Sequence, residues 1–390
     1  MRARKRRPGP VGLETARPRV LILGLDGFPP GAINATDTPA LWGLAAAGGR
    51  AVDGGIADLP STTYPGFASL LTGRRGGRTG NTPGHGVLTT SSDGKAVSGW
   101  AGRRSVRMPT LLHVAQEAGL AAGAILGDNN LHRVLALGDL TRWPRSGRVP
   151  GGTLVDAHGY PTNQAAREPL LRTIATGDWR VLFAHLNEVD TLGHDHGPGD
   201  PRTLAGRHAT DALVGELLEA LRRDWGRTLV IVASDHGMEA VSPLPAIDPA
   251  AGAGLGKHLD GWIGDGGAAW VRVKRAPERD IIGSILGQLD GIALVEPRGE
   301  RKLLLAAQPG REFAGERQTG GVHGAVSTAR TLAIVGGGLD AVAVIAASIA
   351  ARPPHLADWA PAAAAVLGLG FGLGGDPVLL AAGALAPAGR

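Results

Sequence analysis

The 390-residue chain contains no cysteine, which excludes disulfide bonds and cysteine-ligated metal sites. Aromatic residues are scarce at 4%, whereas 62 glycines and 43% apolar residues indicate a loop-rich chain that can still bury a large core. No stretch reaches the ~20 apolar residues of a membrane span, since the apolar run 341–351 is too short. No apolar segment directly follows the charged start, so we see no signal peptide and predict a cytoplasmic protein.

Charge of one sign is concentrated at the beginning of the chain. The net charge is +5, and the basic residues at positions 2, 4, 5, 6 and 7 account for all of it. The remainder is near neutral, which argues against a nucleic-acid surface. We interpret residues 1–18 as a basic disordered tail, which could also contact phosphate groups or a membrane.

Short apolar runs alternate with helical patterns along the rest of the chain. RVLILGL at 19–25 is typical of a strand buried on both faces. TPALWGLAAAGG at 38–49 has a threonine N-cap, a proline at the first helical position and glycines at its end. This alternation predicts a doubly wound α/β sheet flanked by helices. We predict one domain over residues 19–390, with an inserted cap at about 242–316 that is rich in glycine, proline and charge.

Acidic and histidine residues follow several predicted strands or precede the last one. Because the carboxyl ends of strands line the ligand crevice of an open α/β sheet, we expect these side chains to converge. Carboxylates packed together without counter-charge are costly to bury, and divalent metals remove that cost. Mixed Asp/His ligation suits Zn²⁺, with Mn²⁺ or Mg²⁺ less favoured, and six ligands exceed one tetrahedral site, so we predict two metals. The six candidate ligands are Asp26, Asp190, His194, Asp235, His236 and His323.

A two-metal centre is the usual clamp for in-line phosphoryl displacement, and it requires a nucleophile beside it. The stretch LPSTTYPGFASLLTG at 59–73 offers three adjacent hydroxyls, those of Ser61, Thr62 and Thr63. As an isolated turn, this stretch does not distinguish among the three.

Five motifs in order carry a family resemblance: LGLDGF, STTYPGFASLLTG, EVDTLGHDHG, VASDHGM and GGVHGAV. They resemble the alkaline phosphatase superfamily, closest to its nucleotide pyrophosphatase/phosphodiesterase branch, over residues 19–370. The resemblance implies a central sheet flanked by helices. It also implies that Thr63 is the nucleophile, because Tyr64 and Pro65 follow it and the T-G pair begins nine positions later, at Thr72.

The resemblance further implies how the ligands are divided. Asp26, Asp235 and His236 would hold one zinc together with the oxygen of Thr63. The second zinc would be held by Asp190, His194 and His323.

The chain departs from the branch just after the nucleophile. The usual Pro-Asn-His is Pro65-Gly66-Phe67 here. The asparagine that usually contacts a phosphoryl oxygen is missing, and Thr89 or Asn81 could replace it. Tyr64 and His185 could line the substrate pocket.

We therefore predict a metal-dependent hydrolase that cleaves phosphodiester or nucleotide pyrophosphate bonds through a phospho-threonine intermediate. The substrate would be a small phosphate ester, with nucleotides among the candidates. The alternatives are a phosphomonoesterase, a phosphonoacetate-type hydrolase and a catalytically silent binding member. Sulfatase activity is disfavoured because the chain has no C/S-x-P-x-R motif.

Overall fold

The computed structural model describes residues 17–76, 85–90, 96–101, 105–252, 254–315 and 319–370. The predicted basic tail lies outside these ranges except for residues 17 and 18, and so does Asn81. Across these ranges, no helix has both the length and the apolarity needed to cross a membrane.

Strands in the described ranges follow one another from residue 19 to residue 337. They are β1 (Arg19–Leu25), β2 (Gly49–Arg50), β3 (Gly55–Ile56), β4 (Gly86–Thr90), β5 (Ala96–Trp100), β6 (Ala122–Leu126), β7 (Thr141–Trp143), β8 (Val181–Leu186), β9 (Thr228–Ala233), β10 (Glu239–Ala240), β11 (Leu259–Asp265), β12 (Ala268–Val273), β13 (Ile292–Pro297), β14 (Lys302–Ala307), β15 (Gly321–Val322), β16 (Arg330–Thr331) and β17 (Ala333–Gly337).

Helices alternate with the longer strands. They are α1 (Pro39–Ala47), α2 (Thr63–Thr72), α3 (Leu111–Glu117), α4 (Leu131–Val134), α5 (Asn163–Thr176), α6 (Glu188–His196), α7 (Pro201–Ala220), α8 (Arg279–Leu286), α9 (Ala341–Ala351) and α10 (Trp359–Val366).

The main sheet has seven strands in the order β2-β17-β9-β1-β8-β6-β7. The five strands β9, β1, β8, β6 and β7 are parallel to one another, whereas β17 is antiparallel to both β9 and the edge strand β2. Strand β1 lies near the centre, where Val20 pairs with Val181 on one side and Leu229 on the other. The predicted doubly wound α/β fold is confirmed.

Each face of the sheet is covered by helices, because alternate residues of every central strand point to opposite faces. Val20 and Ile22 pack in one core with side chains of α2, α3, α9 and α10. Leu21 and Leu23 pack in the other core with α1, α5 and α7. Both faces of β1 are therefore buried, which explains its continuous apolar sequence.

A second, antiparallel sheet occupies part of the segment in which the sequence predicts an insertion. Its order is β11-β12-β14-β13, and α8 packs on it around a separate apolar cluster. The predicted bounds of a cap, 242–316, stay a prediction. The second sheet itself runs from residue 259 to 307 and contributes its first strand to the cleft described below.

One boundary differs from the sequence-based expectation in a way that affects the site. The apolar pattern of RVLFAHLNEVD at 180–190 predicts a strand up to Asp190, but the strand ends at Leu186 and helix α6 begins at Glu188. Asp190 and His194 therefore lie on a helix rather than at a strand end. The i, i+4 spacing places them on one face of that helix.

Candidate metal centre and substrate cleft

Two adjacent parallel strands carry the first group of candidate ligands. Asp26 directly follows β1, and Asp235 and His236 follow β9 after Ser234. All three of these residues are fully buried. One suitable ligand atom from each lies within 4.8 Å of the others, which is close enough to share one cation.

Helix α6 and the segment after β15 carry the second group. Asp190, His194 and His323 also place one ligand atom each within 4.8 Å of the others. His194 Nε2 is 3.5 Å from Asp190 Oδ1 and 3.0 Å from His323 Nε2. The groups adjoin each other, since His236 Nε2 of the first is 3.9 Å from Asp190 Oδ1 of the second.

Of the three candidate hydroxyls, only that of Thr63 faces the ligands. Thr63 Oγ1 is 3.3 Å from His236 Nε2 and 3.5 Å from Asp26 Oδ1. Ser61 Oγ instead donates to the carbonyl of Ala325, at 2.8 Å. Thr62 Oγ1 is buried without a hydrogen-bond partner. Thr63 is also the first residue of α2, where free backbone N–H groups favour an anion.

The tautomer of each of the three candidate histidine ligands follows from the hydrogen bond that its Nδ1 atom makes. Nδ1 of His194, His236 and His323 lies 3.0, 2.9 and 3.2 Å from the backbone carbonyls of Gly321, Gly237 and Ser61, respectively. A carbonyl only accepts, so each Nδ1 carries a proton, and each ring, when neutral, presents a bare Nε2 lone pair to the site. Two such lone pairs face each other at 3.0 Å between His194 and His323. This contact is repulsive unless a cation lies between them.

Two carboxylate oxygens give the same indication. Asp190 Oδ1 is buried and has no hydrogen-bond partner, and buried Asp235 Oδ2 lies 3.1 Å from the Nε2 atom of another candidate ligand, His236. Burial and the nearby Asp235 and Asp190 carboxylates raise the pKa of Asp26 well above its usual range. Burial lowers the pKa of His236, but the Asp235 carboxylate outweighs it and raises that pKa to about 9. The donor set therefore fits divalent cations, which would satisfy the free lone pairs and the excess negative charge.

Packing explains the two residues at which the nucleophile segment departs from the branch. A Cβ atom at Gly66 would lie 2.5 Å from Cβ of Asp235, so only glycine allows α2 to approach that ligand. Phe67 is fully buried, with its ring centroid 4.6 Å from that of His185. Gly66 and Phe67 thus place the helix that carries Thr63.

His185 lies behind the ligands rather than on the wall of the cleft. It has no exposed surface, and its Nε2 is 3.0 Å from Asp26 Oδ2. Its Nδ1 accepts a hydrogen bond from the backbone N–H of Asp128 at 3.0 Å, so Nε2 carries the proton and donates to Asp26. Burial lowers the pKa of His185 to about 4, which keeps the ring neutral. The structure therefore gives this residue a contact with a candidate ligand instead of the predicted contact with substrate.

A cleft of about 640 Å³ opens onto Thr63 and the second ligand group. Tyr64 lies on its wall, as the sequence predicts, with its ring edge-to-face against His85 at 4.2 Å. Thr89 lies on β4, and its side chain is outside the part of the chain that the structure describes.

Sequence reasoning missed several residues that line this cleft. One of them, Asp128, follows strand β6 just as Asp26 follows β1, so the same acid-after-strand signal could have identified it. The others carry no comparable signal, because they lie on loops or on the second sheet. The missed residues include Asp128, Asn130, Tyr160, Trp262, Asp265 and Phe313.

Comparison with known proteins places this fold and site in a family. Residues 20–283 match the family described as type I phosphodiesterase / nucleotide pyrophosphatase, and the chain belongs to it. The chain is 42% identical over 71 residues to the catalytic subunit of GPI ethanolamine phosphate transferase 3 from Homo sapiens. It is 32% identical over 109 residues to ectonucleotide pyrophosphatase/phosphodiesterase family member 1 from Mus musculus. These segments cover 18% and 25% of this chain, but only 6% and 12% of the two relatives.

Solved structures show the same fold at much greater coverage. Murine ectonucleotide pyrophosphatase/phosphodiesterase 5 superposes with a TM-score of 0.64 at 18% identity, over 92% of this chain and 97% of that chain. An inactive variant of that protein in complex with AMP gives a TM-score of 0.66 over the same shares of the two chains. The predicted resemblance to the nucleotide pyrophosphatase/phosphodiesterase branch is confirmed.

Proposed function

We propose that this protein hydrolyses phosphodiester or nucleotide pyrophosphate bonds, with Thr63 as nucleophile and two Zn²⁺ ions as cofactors. One observation carries the proposal. The Thr63 hydroxyl lies 3.3 Å from His236 and 3.5 Å from Asp26, in a site where the buried Asp190 Oδ1 has no hydrogen-bond partner. Membership of a phosphodiesterase family supports the reaction class.

The chain would act in two displacements. Thr63 Oγ1 forms a bond to phosphorus while the bond from phosphorus to the leaving oxygen breaks, which gives a phospho-threonine. Water then attacks the same phosphorus, and the Thr63 oxygen leaves. Bound divalent cations would lower the pKa of the Thr63 hydroxyl and offset the charge of the phosphoryl oxygens. The first turn of α2 would orient the phosphoryl group through its backbone N–H groups.

A nucleotide is the favoured substrate class. A structural neighbour binds AMP, and the aromatic ring of Tyr64 borders the nucleophile on the cleft wall. That neighbour is inactivated by replacement of a single threonine with alanine, which supports a threonine nucleophile here. The similarity to an ethanolamine phosphate transferase favours a second candidate, in which an alcohol replaces water as the acceptor in the second displacement.

Two adjacent isosteric changes test the nucleophile. Thr63→Val should reduce diester turnover by on the order of 10³-fold or more while the protein still binds zinc. Thr62→Val is the matched control and should keep its activity, since the Thr62 hydroxyl has no partner to lose. The readouts are turnover of a nitrophenyl diester and metal content by mass spectrometry, with two zinc ions expected per chain. Full activity in Thr63→Val would refute the mechanism.

A substrate panel separates the alternatives. Nitrophenyl diester, nitrophenyl monoester, nucleotide sugar and phosphonoacetate are compared on the wild type, with and without an added alcohol. Equal or faster monoester turnover would identify a phosphatase, and phosphate release from phosphonoacetate would identify a phosphonate hydrolase. Transfer to the alcohol would identify a transferase. Normal zinc content with no turnover dependent on Thr63 would indicate a silent binding member.

A further inference from the structure

One part of the cleft wall is polar and unrelated to the metal ligands. The chain has only two tyrosines, Tyr64 and Tyr160, and both lie on this part of the wall beside Asp128 and Asn130. Burial and the nearby Asp128 carboxylate raise the pKa of both the Tyr64 and the Tyr160 hydroxyl, so both rings lie close to that carboxylate. We call these four residues the tyrosine wall.

Asp128 is the charged member of the tyrosine wall. Its side chain is 4% exposed and borders the cleft. Its Oδ1 accepts a hydrogen bond from the backbone N–H of Asn130 at 2.7 Å. A carboxylate has about four acceptor positions, so capacity remains for a ligand. Burial raises the pKa of Asp128 to about 6, so the group is largely ionised at neutral pH.

The described part of the chain commits no cation to this carboxylate. Among the residues that the structure describes, no lysine or arginine forms an ion pair with Asp128. His85 is the nearby titratable ring, and Asp265 engages it through both its backbone N–H, at 2.8 Å, and its Nδ1, at 3.4 Å. A buried, ionised carboxylate with spare acceptor positions on a substrate cleft favours a ligand that donates N–H groups.

We propose that Asp128 accepts a hydrogen bond from an amino group on the part of the substrate that extends past Tyr64, so that the cleft selects amine-bearing phosphate compounds. The proposal rests on the proposed function for its phosphate end, which Thr63 and the metal ligands would hold. A hydroxyl in the place of the amine would be a weaker hydrogen-bond donor to the Asp128 carboxylate. A carbonyl in that place would donate no hydrogen bond at all. The amine could belong to a nucleobase or to an alkylammonium group, and both are tested.

Equilibrium binding tests the selection without turnover. Metal-loaded Thr63→Val protein is titrated calorimetrically with two matched ligand pairs, CMP against UMP and phosphoethanolamine against 2-hydroxyethyl phosphate. We expect the amine member of at least one pair to bind about 10-fold to 100-fold more tightly, the usual range for a hydrogen bond to a charged group. A difference in the first pair alone assigns a nucleobase, and one in the second pair alone assigns an alkylammonium group. Equal affinities within both pairs would overturn the proposal.

A charge-matched pair of variants assigns the selection to Asp128. Asp128→Asn, made in the Thr63→Val background, should bring the two members of the selective pair to within about twofold. Asp139→Asn removes the same charge from an exposed position outside the cleft and should preserve the preference. A preference that survives Asp128→Asn would overturn the proposal, and so would an equal loss of affinity for all four ligands. If the wild type hydrolysed no ester while amine selectivity persisted, the proposed function would fail and this inference would stand.

Discussion

The contact between Gly66 and Asp235 predicts that adding one methyl group will separate activity from stability. In Gly66→Ala, the new Cβ would lie 2.5 Å from Cβ of Asp235 and 3.1 Å from its Cα, whereas ordinary contacts begin near 3.4 Å. Asp235 is fully buried and follows a central strand, so it has little room to move. The first turn of α2 must therefore shift by about 1 Å, and Thr63 moves with it.

The two effects differ in size. Alanine is preferred to glycine inside a helix by about 1 kcal/mol, which offsets part of the ~1–3 kcal/mol cost of overpacking. The free energy of unfolding should therefore fall by no more than about 2 kcal/mol. A displacement of about 1 Å at a reacting group can cost on the order of 100-fold in rate. We expect a folded Gly66→Ala protein with about 1% of the wild-type kcat for a diester substrate.

Gly43→Ala is the matched control, because Gly43 is also inside a helix but a Cβ there meets no atom within 4 Å. It should raise stability by about 0.5–1 kcal/mol and leave kcat unchanged. Urea unfolding and steady-state kinetics on both variants provide the measurements. If Gly66→Ala kept the wild-type kcat, the packing of α2 on Asp235 would not position the nucleophile, and the reasoning would be refuted.

Three other perturbations test the site. His185→Phe removes the hydrogen-bond donor to Asp26 and should weaken zinc binding about 10-fold to 100-fold, measured by chelator competition. His208→Phe, at the exposed surface, is the control and should leave zinc affinity unchanged. Equal zinc affinities in the two variants would refute the role of His185. Removing zinc should lower the free energy of unfolding by about 4 kcal/mol per site, or about 8 kcal/mol for two sites, relative to protein in zinc at 1,000 times its Kd, and unchanged urea unfolding would contradict a preformed metal site. The pKa of Asp128 is about 6 in the folded chain and 3.8 in the unfolded reference, so the folded state binds this proton more tightly. The free energy of unfolding therefore falls between about pH 4 and pH 6 and stays lower above pH 6. Asp128→Asn should thus be more stable than the wild type by at most about 3 kcal/mol at pH 8, with the difference vanishing toward pH 4; a constant difference would contradict the burial argument.

The sequence predicts the framework of the site because it depends on local patterns. Asp26 and Asp235 follow apolar runs of strand length, and parallel strands bring their carboxyl ends to one edge of the sheet. The spacing in the nucleophile segment distinguished Thr63 from its neighbours only through the family resemblance. The structure then supplied an independent reason, since the Ser61 hydroxyl is engaged elsewhere and the Thr62 hydroxyl faces no ligand.

What the sequence did not predict depends on contacts between distant segments. The start of α6 at Glu188 is the exception, because Asn187 at the N-cap and the acidic Glu188 and Asp190 in the first turn are local signals of a helix start. His185 was expected on the cleft wall, but its side chain occupies the interior between β1 and α2. Asp128 carries the acid-after-strand signal, but its place beside two tyrosines that are far from each other in sequence is visible only in the structure.

The histidines show most directly why composition and spacing leave chemistry undetermined. His185 and His236 both lie within 3.4 Å of the Asp26 carboxylate, and both rings are fully buried. In His185, Nδ1 accepts from a backbone N–H, so Nε2 must donate to Asp26 and orients it. In His236, Nδ1 donates to a backbone carbonyl, so the ring, when neutral, presents an Nε2 lone pair to a cation beside the same carboxylate. One backbone group behind each ring therefore sets the difference between a supporting residue and a ligand. A backbone carbonyl behind His185 and a backbone N–H behind His236 would exchange the roles of the two rings.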